Sequence, residues 1–540
     1  MKKTFKLSLI AATVVTAMNA QAAIYQVVEV PTTIDAVEKH GVAIQPSLPG
    51  ENCFVDNSSC EDYAIAVEGR KWAEGISYRE EVPFGMDNSF YYQDKNHTDL
   101  DDFKNYCRNE LRYETCEESW AKVEWAGYQK ELDGNYTNAP AEVVGGSYSG
   151  IVSEVNTVIN RLSSEGDAIG NSRDSSNSRN QAFAPFALPD PESNNPKVVE
   201  SRAFAASGDY IVGSISRFEH NDRGDHHASK AAIWSQDQVI ELPWGNGSKQ
   251  QDDHLIAQGS MRDVMVDEDT NKLYGVGYNT YSHQHMDATI FTCDLGSGSP
   301  EHCKSQQVSG TTDREKYSNS VVEKVNHNGV AIGEAKRHRR STNQLFYIAD
   351  INSPKAIYLD AGIFSQRMGS NAGGINNRNE MVGSIDLEAS KATNDMPRPP
   401  RGFIYPLPVK ASDNPDFAPN AVLGGKARLL DDLTNGGEFS EENNQYRIIN
   451  AADINDAGVI AATALKCEGG YRSTAPLAKC ATNESVVAVK LVPIQEATSS
   501  DIEPRQADRE PVKRSGGGGG SLGIVALTAL GLLGFRRKLR

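Results

Sequence analysis

A short unit recurs along this chain, and a recurring unit that cannot bury its own apolar face limits the fold more than any other feature. Residues 374–385 show it in full as G-I-N-N-R-N-E-M-V-G-S-I, a polar turn between apolar residues. An aromatic strand follows, ending in Phe403, Ile404 and Tyr405. Other copies read S-S-E-G-D-A-I-G-N-S at 163–172, A-S-G-D-Y-I-V-G-S-I at 206–215 and D-E-D-T-N-K-L-Y-G-V-G at 267–277. Two more read N-H-N-G-V-A-I-G-E-A at 326–335 and N-D-A-G-V-I-A-A-T-A at 455–464. A fainter copy at 34–44 is expected to turn at His40 and Gly41.

Asn, Asp and Gly supply the positive-φ positions that a tight turn needs. The residue closing each unit is small: Gly170, Gly213, Gly277, Gly333, Gly383 or Ala462. Such a residue lets neighbouring backbones approach closely. A second strand-like piece follows each copy, at 181–183, 231–234, 288–291, 344–347, 402–405 and 486–492. Spacings of 43 to 79 residues fit propeller blades with variable loops better than a solenoid of strict pitch. The expectation is an all-β protein: a β-propeller of six or seven blades over residues 23–494. Its opening strand, 24–30, would pair with 486–492 and close the ring, leaving no exposed edge.

The chain has 540 residues, enough for a repeat architecture or several domains. Its formal net charge of −18 argues against nucleic acid and anionic membrane as partners, since phosphate contact needs a basic face. Residues 1–22 carry Lys2, Lys3 and Lys6, an apolar run at 7–15, and the small residues Ala20 and Ala22 around Gln21. That is the pattern of a secretory signal peptide, with cleavage by signal peptidase expected after Ala22 or one residue later.

Export bears on the eight cysteines, which fall into four local couples: Cys53 with Cys60, Cys107 with Cys116, Cys293 with Cys303, and Cys467 with Cys480. In an oxidising compartment, structural disulfides are the default, and no couple has the C-x-x-C spacing of a zinc or redox site. Residues 86–136 are rich in charge and aromatics. Asp99 offers an N-cap ahead of Leu100, Phe103, Cys107 and Leu111 at helical spacing, and Trp120, Val123 and Gly127 continue it. A helical insertion pinned by Cys107–Cys116 is expected, either as a flap over a partner or substrate or as a lid on one end of the core.

At the far end, residues 495–515 are polar, contain Pro504 and Pro511, and read as a disordered linker. The run Gly516, Gly517, Gly518, Gly519 and Gly520 follows, then an apolar stretch to Phe535 and a basic tail at 536–540. Residues 516–535 are just long enough to cross a bilayer as a helix. The basic tail would stay cytoplasmic.

The I-N-x-x-G-x-x-x-G unit with its aromatic strand resembles the HAF repeat of bacterial extracellular proteins. The whole layout resembles an uncharacterised, domain-of-unknown-function family of exported Gram-negative proteins. The tail resembles the GlyGly-CTERM sorting signal of that family, which implies cleavage near Gly516–Gly520 by a rhomboid-type membrane protease. It also implies passage through a type II secretion system to the cell surface or medium, after a transient inner-membrane anchor. The resemblance implies no activity.

Chemistry is hard to find in the residues. No nucleophile elbow, H-E-x-x-H, Walker loop or dinucleotide fingerprint is present. His220, His226 and His227 precede Trp234, and His283 and His285 alternate as if on one strand face, half of a metal site at most. Asp267 to Asn271 opens like a calcium loop, but Lys272 and Tyr278 stand where that loop needs Gly and Glu, so a hairpin turn fits better. No metal, cofactor or catalytic residue is assigned. Three functions compete: a non-enzymatic surface module binding an extracellular ligand, a hydrolase of extracellular polymer, and a surface structural protein. Carboxylates or histidines converging at the propeller axis would favour the enzyme; a plug of small apolar side chains would favour binding or structure.

Overall fold

The computed structural model describes residues 23–80 and 99–506, apart from 109–115, 117–119, 147–148, 174–177, 192–195, 222–223, 246–255, 297–298, 341, 388–398, 411–413 and 438. The signal peptide expected at 1–22, the start of the insertion at 86 and the glycine run, span and basic tail at 516–540 lie outside the described residues.

Strands come in consecutive antiparallel groups. The chain opens with β1 (Tyr25–Glu29), β2 (Glu38–Ile44), β3 (Ile65–Arg70), β4 (Ala141–Val144) and β5 (Gly150–Ser153). A three-stranded sheet follows: β6 (Thr157–Leu162), β7 (Ala168–Ser172) and β8 (Gln181–Phe183). Then come four sheets of four strands. They are β9 (Val198–Ser207), β10 (Tyr210–Asn221), β11 (Gly224–Trp234) and β12 (Val239–Glu241); then β13 (Gly259–Asp267), β14 (Lys272–Thr280), β15 (Met286–Gly296) and β16 (Ser299–Gln307). The third is β17 (Tyr317–Val325), β18 (Ala331–Arg337), β19 (Asn343–Ile348) and β20 (Ile357–Tyr358); the fourth is β21 (Ser370–Ile375), β22 (Glu380–Asp386), β23 (Pro400–Pro406) and β24 (Arg428–Leu429). Last are β25 (Tyr446–Ile454), β26 (Ile460–Cys467) and β27 (Glu484–Pro493).

These three join the first five in one eight-stranded sheet of order β25-β26-β27-β2-β3-β4-β5, with β1 also on β27. The opening strand pairs antiparallel with the closing one, Tyr25 opposite Pro493 and Glu29 opposite Val489, so the two ends of the repeat region are stitched together. Around the axis β2 packs on β6, β6 on β9, β9 on β13, β13 on β17, β17 on β21, β21 on β25, and β25 on β2. The fold is a closed β-propeller. Where six or seven blades are expected, the described residues form five separate blades of three or four strands plus the eight-stranded sheet. The physical reason is one parallel pair, Glu38 with Val486, which fuses the first and last groups into a continuous sheet.

Apolar side chains on both faces of a blade meet those of its neighbours. Met265, Val276 and Ile290 of one sheet, for example, share a core with Val322, Ala331 and Phe346 of the next. Burying Phe346 completely contributes about 2–3 kcal/mol, which an isolated blade would forgo. Four disulfides, Cys53–Cys60, Cys107–Cys116, Cys293–Cys303 and Cys467–Cys480, each close a short loop.

The polar turns bind one another. In these turns, N-x-x-G at 326 and 455 and N-x-x-N at 376, the asparagine side-chain carbonyl accepts from backbone amides ahead of it: Asn326 from Asn328 (3.1 Å) and Val330 (3.0 Å), Asn376 from Arg378 and Glu380 (both 3.0 Å), and Asn455 from Val459 (2.9 Å). Its amide group donates to the following unit: Asn326 to the Asn376 carbonyl (2.9 Å), Asn376 to that of Asn455 (3.2 Å), Asn455 to that of Gln45 (3.1 Å). One residue therefore caps its own turn and fastens the next blade.

Two expectations at the ends change. His40 and Gly41 lie inside β2 rather than at a turn, because Gly41 pairs with Val67 of β3. Residues 495–506, read as the start of a linker, pack on the last sheet. Arg505 is 6% exposed; its Nε donates to the Asp431 carbonyl (2.6 Å) and its amide to the Asp432 carboxylate (2.8 Å). A polar anchor of this kind leaves no apolar periodicity to read.

Candidate functional site

Each closing small residue has a second consequence. Gly170 pairs with Ile159, Gly213 with Ala203, Gly277 with Met261, Gly333 with Val322, Gly383 with Ala372, and Ala462 with Ala451; Val67 pairs with Gly41 in the same way. Immediately after each of those partners the register slips, so the axial strand carries a β-bulge. The bulge turns a carbonyl onto the glycine. A Cβ at Gly170 would overlap the Val158 oxygen, one at Gly213 that of Arg202, at Gly277 that of Ser260, at Gly333 that of Val321, and at Gly383 that of Asn371.

The extra residues are Val42, Asn160, Phe204, Arg262, Glu323, Gly373 and Ala452, and all of them line one cavity of about 450 Å³. A bulge breaks the alternation of a strand and re-aims a side chain, which is why bulges recur next to functional sites. Glu323 and Lys324 are consecutive yet both face this cavity.

Apart from Val158 and Ala372, the remaining lining is polar: Arg79, Glu80, Asn171, Arg202, Lys324, Glu334, Asn371, Asn450 and Asp453, with Tyr78 and Tyr106. Tyr106 ends α1 (Leu100–Tyr106), which Asp99 caps through a reciprocal bond with Asp102. Next is α2 (Trp120–Leu132), which buries Ala121, Gly127 and Tyr128 and leaves Val123 exposed. Gly127 lies so close to Gly75, in the loop after β3, that a Cβ there would overlap its backbone. The insertion is thereby docked beside the axial cavity.

Most charges at the axis are tied. Arg79 donates to Glu68 (3.0 Å) and to Asn160 (3.1 Å), and Arg202 pairs with Glu200 at 2.9 Å. The Arg262 guanidinium stacks 4.1 Å from the Phe204 ring centre. Asp453 accepts from the Ile44 amide (3.2 Å). Glu334 accepts from the Asn343 amide (2.8 Å) and the Ala372 backbone (3.2 Å). Burial, and then the neighbouring Glu323 charge, push the Glu334 carboxyl up to about 8. Among the described residues the side chains of Glu323, Lys324 and Asn450 have no hydrogen bond or ion pair with protein.

Other sequence candidates do not converge here. His226 and His227 are buried in β11, opposite Glu219 and Phe218. His283 and His285 are not on a strand face: both lie in the turn between β14 and β15, with rings 6.1 Å apart. Among the described residues no group of three or more His, Cys, Asp or Glu is placed to hold a metal. Asp267 closes a hairpin turn, accepting from the amides of Asp269 (3.0 Å) and Thr270 (3.1 Å). Among the described residues no helix is long and apolar enough to cross a membrane.

Sequence reasoning missed the bulge residues, although a signal existed. Asn160, Glu323, Gly373 and Ala452 each stand ten residues before their closing small residue.

No curated protein sequence matches the chain. Among solved structures it is similar to the α-L-arabinofuranosidase PaAbf62A of Podospora anserina, at 8% identity over 58% of this chain and 96% of that one, TM-score 0.24. It is also similar to the hydrazine synthase of Kuenenia stuttgartiensis (10% identity, 61% and 74% covered, TM-score 0.27). A third likeness is to the β-propeller domain of the Trilobed protease from Pyrococcus furiosus (13% identity, 62% and 99% covered, TM-score 0.22). Values this low carry no reading of activity. Residues 274–538 match the family model described as "Protein of unknown function (DUF3466)", which supports an uncharacterised family for that stretch.

Proposed function

We propose that this chain is an exported β-propeller that acts as a non-enzymatic binding module, taking an extracellular ligand in its axial cavity. The observation that carries the reading is the convergence of one bulge residue per repeat on a single polar cavity. A site made of one side chain from each of several rigid strands is preorganised, which suits recognition. The four disulfides support export, because they persist in oxidising compartments. On this proposal the units are HAF-like repeats and the eight-stranded sheet is two blades, β2–β5 and β25–β27 with β1, giving a ring of seven. The chain loses residues 1–22 to signal peptidase. A rhomboid-type protease cleaves its GlyGly-CTERM tail near Gly516–Gly520, and a type II secretion system carries it to the surface or medium.

Intact mass of protein recovered from cell surface and medium, before and after reduction, tests the export half. Loss of residues 1–22, a C-terminus within 516–520 and eight oxidised thiols are expected. A full-length tail or free thiols would overturn it.

One observation favours a second reading as a hydrolase. Glu334, a carboxyl that burial keeps protonated near neutral pH, sits beside Glu323 and could serve as a general acid. Turnover of an extracellular polymer that is abolished in both Glu334→Gln and Glu323→Gln would establish it. Turnover unaffected by both would exclude these residues.

A further inference from the structure

We propose that the axial cavity binds a neutral polyhydroxylated ligand, a sugar or short glycan, through the unpaired Glu323, Lys324 and Asn450 and the ring of Phe204. The proposal rests on the axial reading above and names the chemistry of its ligand.

The argument begins with what the cavity offers. A hydroxyl is both donor and acceptor, so a ligand rich in hydroxyls needs acceptors and donors side by side. Glu323 supplies only acceptors and Lys324 only donors, and the β17 bulge aims both into the cavity from adjacent positions. Two neighbouring hydroxyls of a sugar ring can donate to the first and accept from the second. Across the cavity, Asn450 of β25 presents an amide that does both. Asn371 adds another; its own contacts, with Asn343 at 3.3 Å and Ser384 at 3.5 Å, are long. Phe204 is half-buried, backed on one side by the Arg262 guanidinium, and gives a flat apolar surface for a ring face.

The same lining argues against the alternatives. Four bases (Arg79, Arg202, Arg262, Lys324) face three ionised acids (Glu80, Glu323, Asp453) and the protonated Glu334, so the cavity lining differs by a single charge and offers no large surplus of either sign to a charged ligand. Arg79 and Arg202 are already paired with Glu68 and Glu200, and the chain as a whole is acidic. An anion would find few uncommitted cations. A cation would meet Lys324, a protonated Glu334, and an Asp453 carboxylate that already accepts a backbone amide. A wholly apolar ligand would strand the unpaired amides and charges without replacing the water they give up.

Titration calorimetry of the oxidised, full-length mature protein tests this with maltotriose, cellotriose and xylotriose as neutral probes, and trigalacturonate and tetralysine as charged ones. At least one neutral trisaccharide is expected to bind, with affinity falling roughly tenfold in each of Glu323→Gln, Lys324→Gln and Asn450→Ala, and unchanged in the distant Val55→Ser. The near-isosteric Glu323→Gln guards against a folding defect. Charged probes that bind in place of the neutral ones, and are lost in the same variants, overturn the sugar class and leave the axial site standing. Trisaccharide binding untouched by all three cavity variants overturns the axial site itself. No neutral probe bound at ~10 mM, where a Kd in the millimolar range would register, overturns the proposal.

Discussion

Two stretches of the same repeat, only a few residues apart, behave in opposite ways. The turn is near-invariant where it is clearest: Asn326, Asn376 and Asn455 occupy one position, and each spends its side chain on its own turn and on the next unit. The bulge is different in every copy: valine, asparagine, phenylalanine, arginine, glutamate, glycine and alanine all stand there, and all face the axis. The turn holds the ring; the bulge furnishes it. A repeat fold can thus keep a fixed frame and vary its site one strand at a time. The rule also says where each kind of change should hurt.

The largest effect should come from the residue that creates the bulge. Gly333→Val would drive its side chain into the Val321 carbonyl oxygen, with Phe346 blocking retreat. The axial strand must either lose its bulge or part from β18. We expect a loss of at least ~3 kcal/mol in urea unfolding, at the upper end for overpacking a core. Gly213→Val should behave alike against the Arg202 carbonyl. If both variants unfold like the parent, the bulge does not depend on the glycine and the comparison fails at its root.

Next is the turn. Asn376→Ala removes an acceptor from the amides of Arg378 and Glu380 and a donor from the Asn455 carbonyl and the Glu380 carboxylate. These groups are buried and cannot all recover water. A cost of about 2–3 kcal/mol follows from stranding one or two of them. Asn376→Asp keeps the acceptor but sets a carboxylate oxygen where the amide met the Glu380 carboxylate and the Asn455 carbonyl, so it should cost at least as much as Ala. A smaller loss for Asp than for Ala would mean that the acceptor within the turn, rather than the clasp between units, carries the stability.

The turn was legible from sequence and the bulge was not, for a physical reason. Turn formation is local: an Asn followed three residues later by Gly329, Gly458 or the left-handed Asn379 states the geometry by itself, so the units at 326, 376 and 455 are legible. The pairing of 24–30 with 486–492 was also readable, since only a closed ring leaves no edge. A bulge depends on two strands at once. Glu323 looks like any polar residue in a strand until Gly333, across the ladder, is known to draw the Val321 carbonyl inward. The fused first and last groups were hidden for the same reason, because a single long-range pair, Glu38 with Val486, decides them.

A pH experiment sharpens the contrast between the two stretches. Glu334 follows the closing glycine beside the bulge residue Glu323, and burial, then the Glu323 charge, raises its carboxyl from the ordinary 4.5 to about 8. The folded state therefore holds this proton more tightly than the unfolded chain does. The stabilisation is complete below about pH 4.5 and is lost as pH rises through about 8. Glu334→Gln removes this titration, so between those limits the stability of the parent should decline with pH relative to the variant. Parallel stability–pH curves for the two proteins would show that Glu334 does not hold a proton at the axis.

The smallest effect should fall on the bulge side chain itself. Ala452 is half-buried at the bulge of β25, and its side chain points to the axial cavity rather than into a core between blades. Ala452→Ser adds one hydroxyl where water or ligand can bond to it, so no buried group is stranded and no volume is forced. Unfolding free energy should stay within about 0.5 kcal/mol of the parent, as for a surface substitution. Ala451, one residue earlier and fully buried against the neighbouring strands, provides the internal contrast. Ala451→Ser places the same hydroxyl in an apolar core without a partner and should cost about 1–3 kcal/mol. Two adjacent alanines with the same substitution and different outcomes would separate frame from site at single-residue resolution. Equal costs would mean that the bulge position is packed as tightly as the core, and that the variety seen there is tolerated by the frame rather than offered to a ligand.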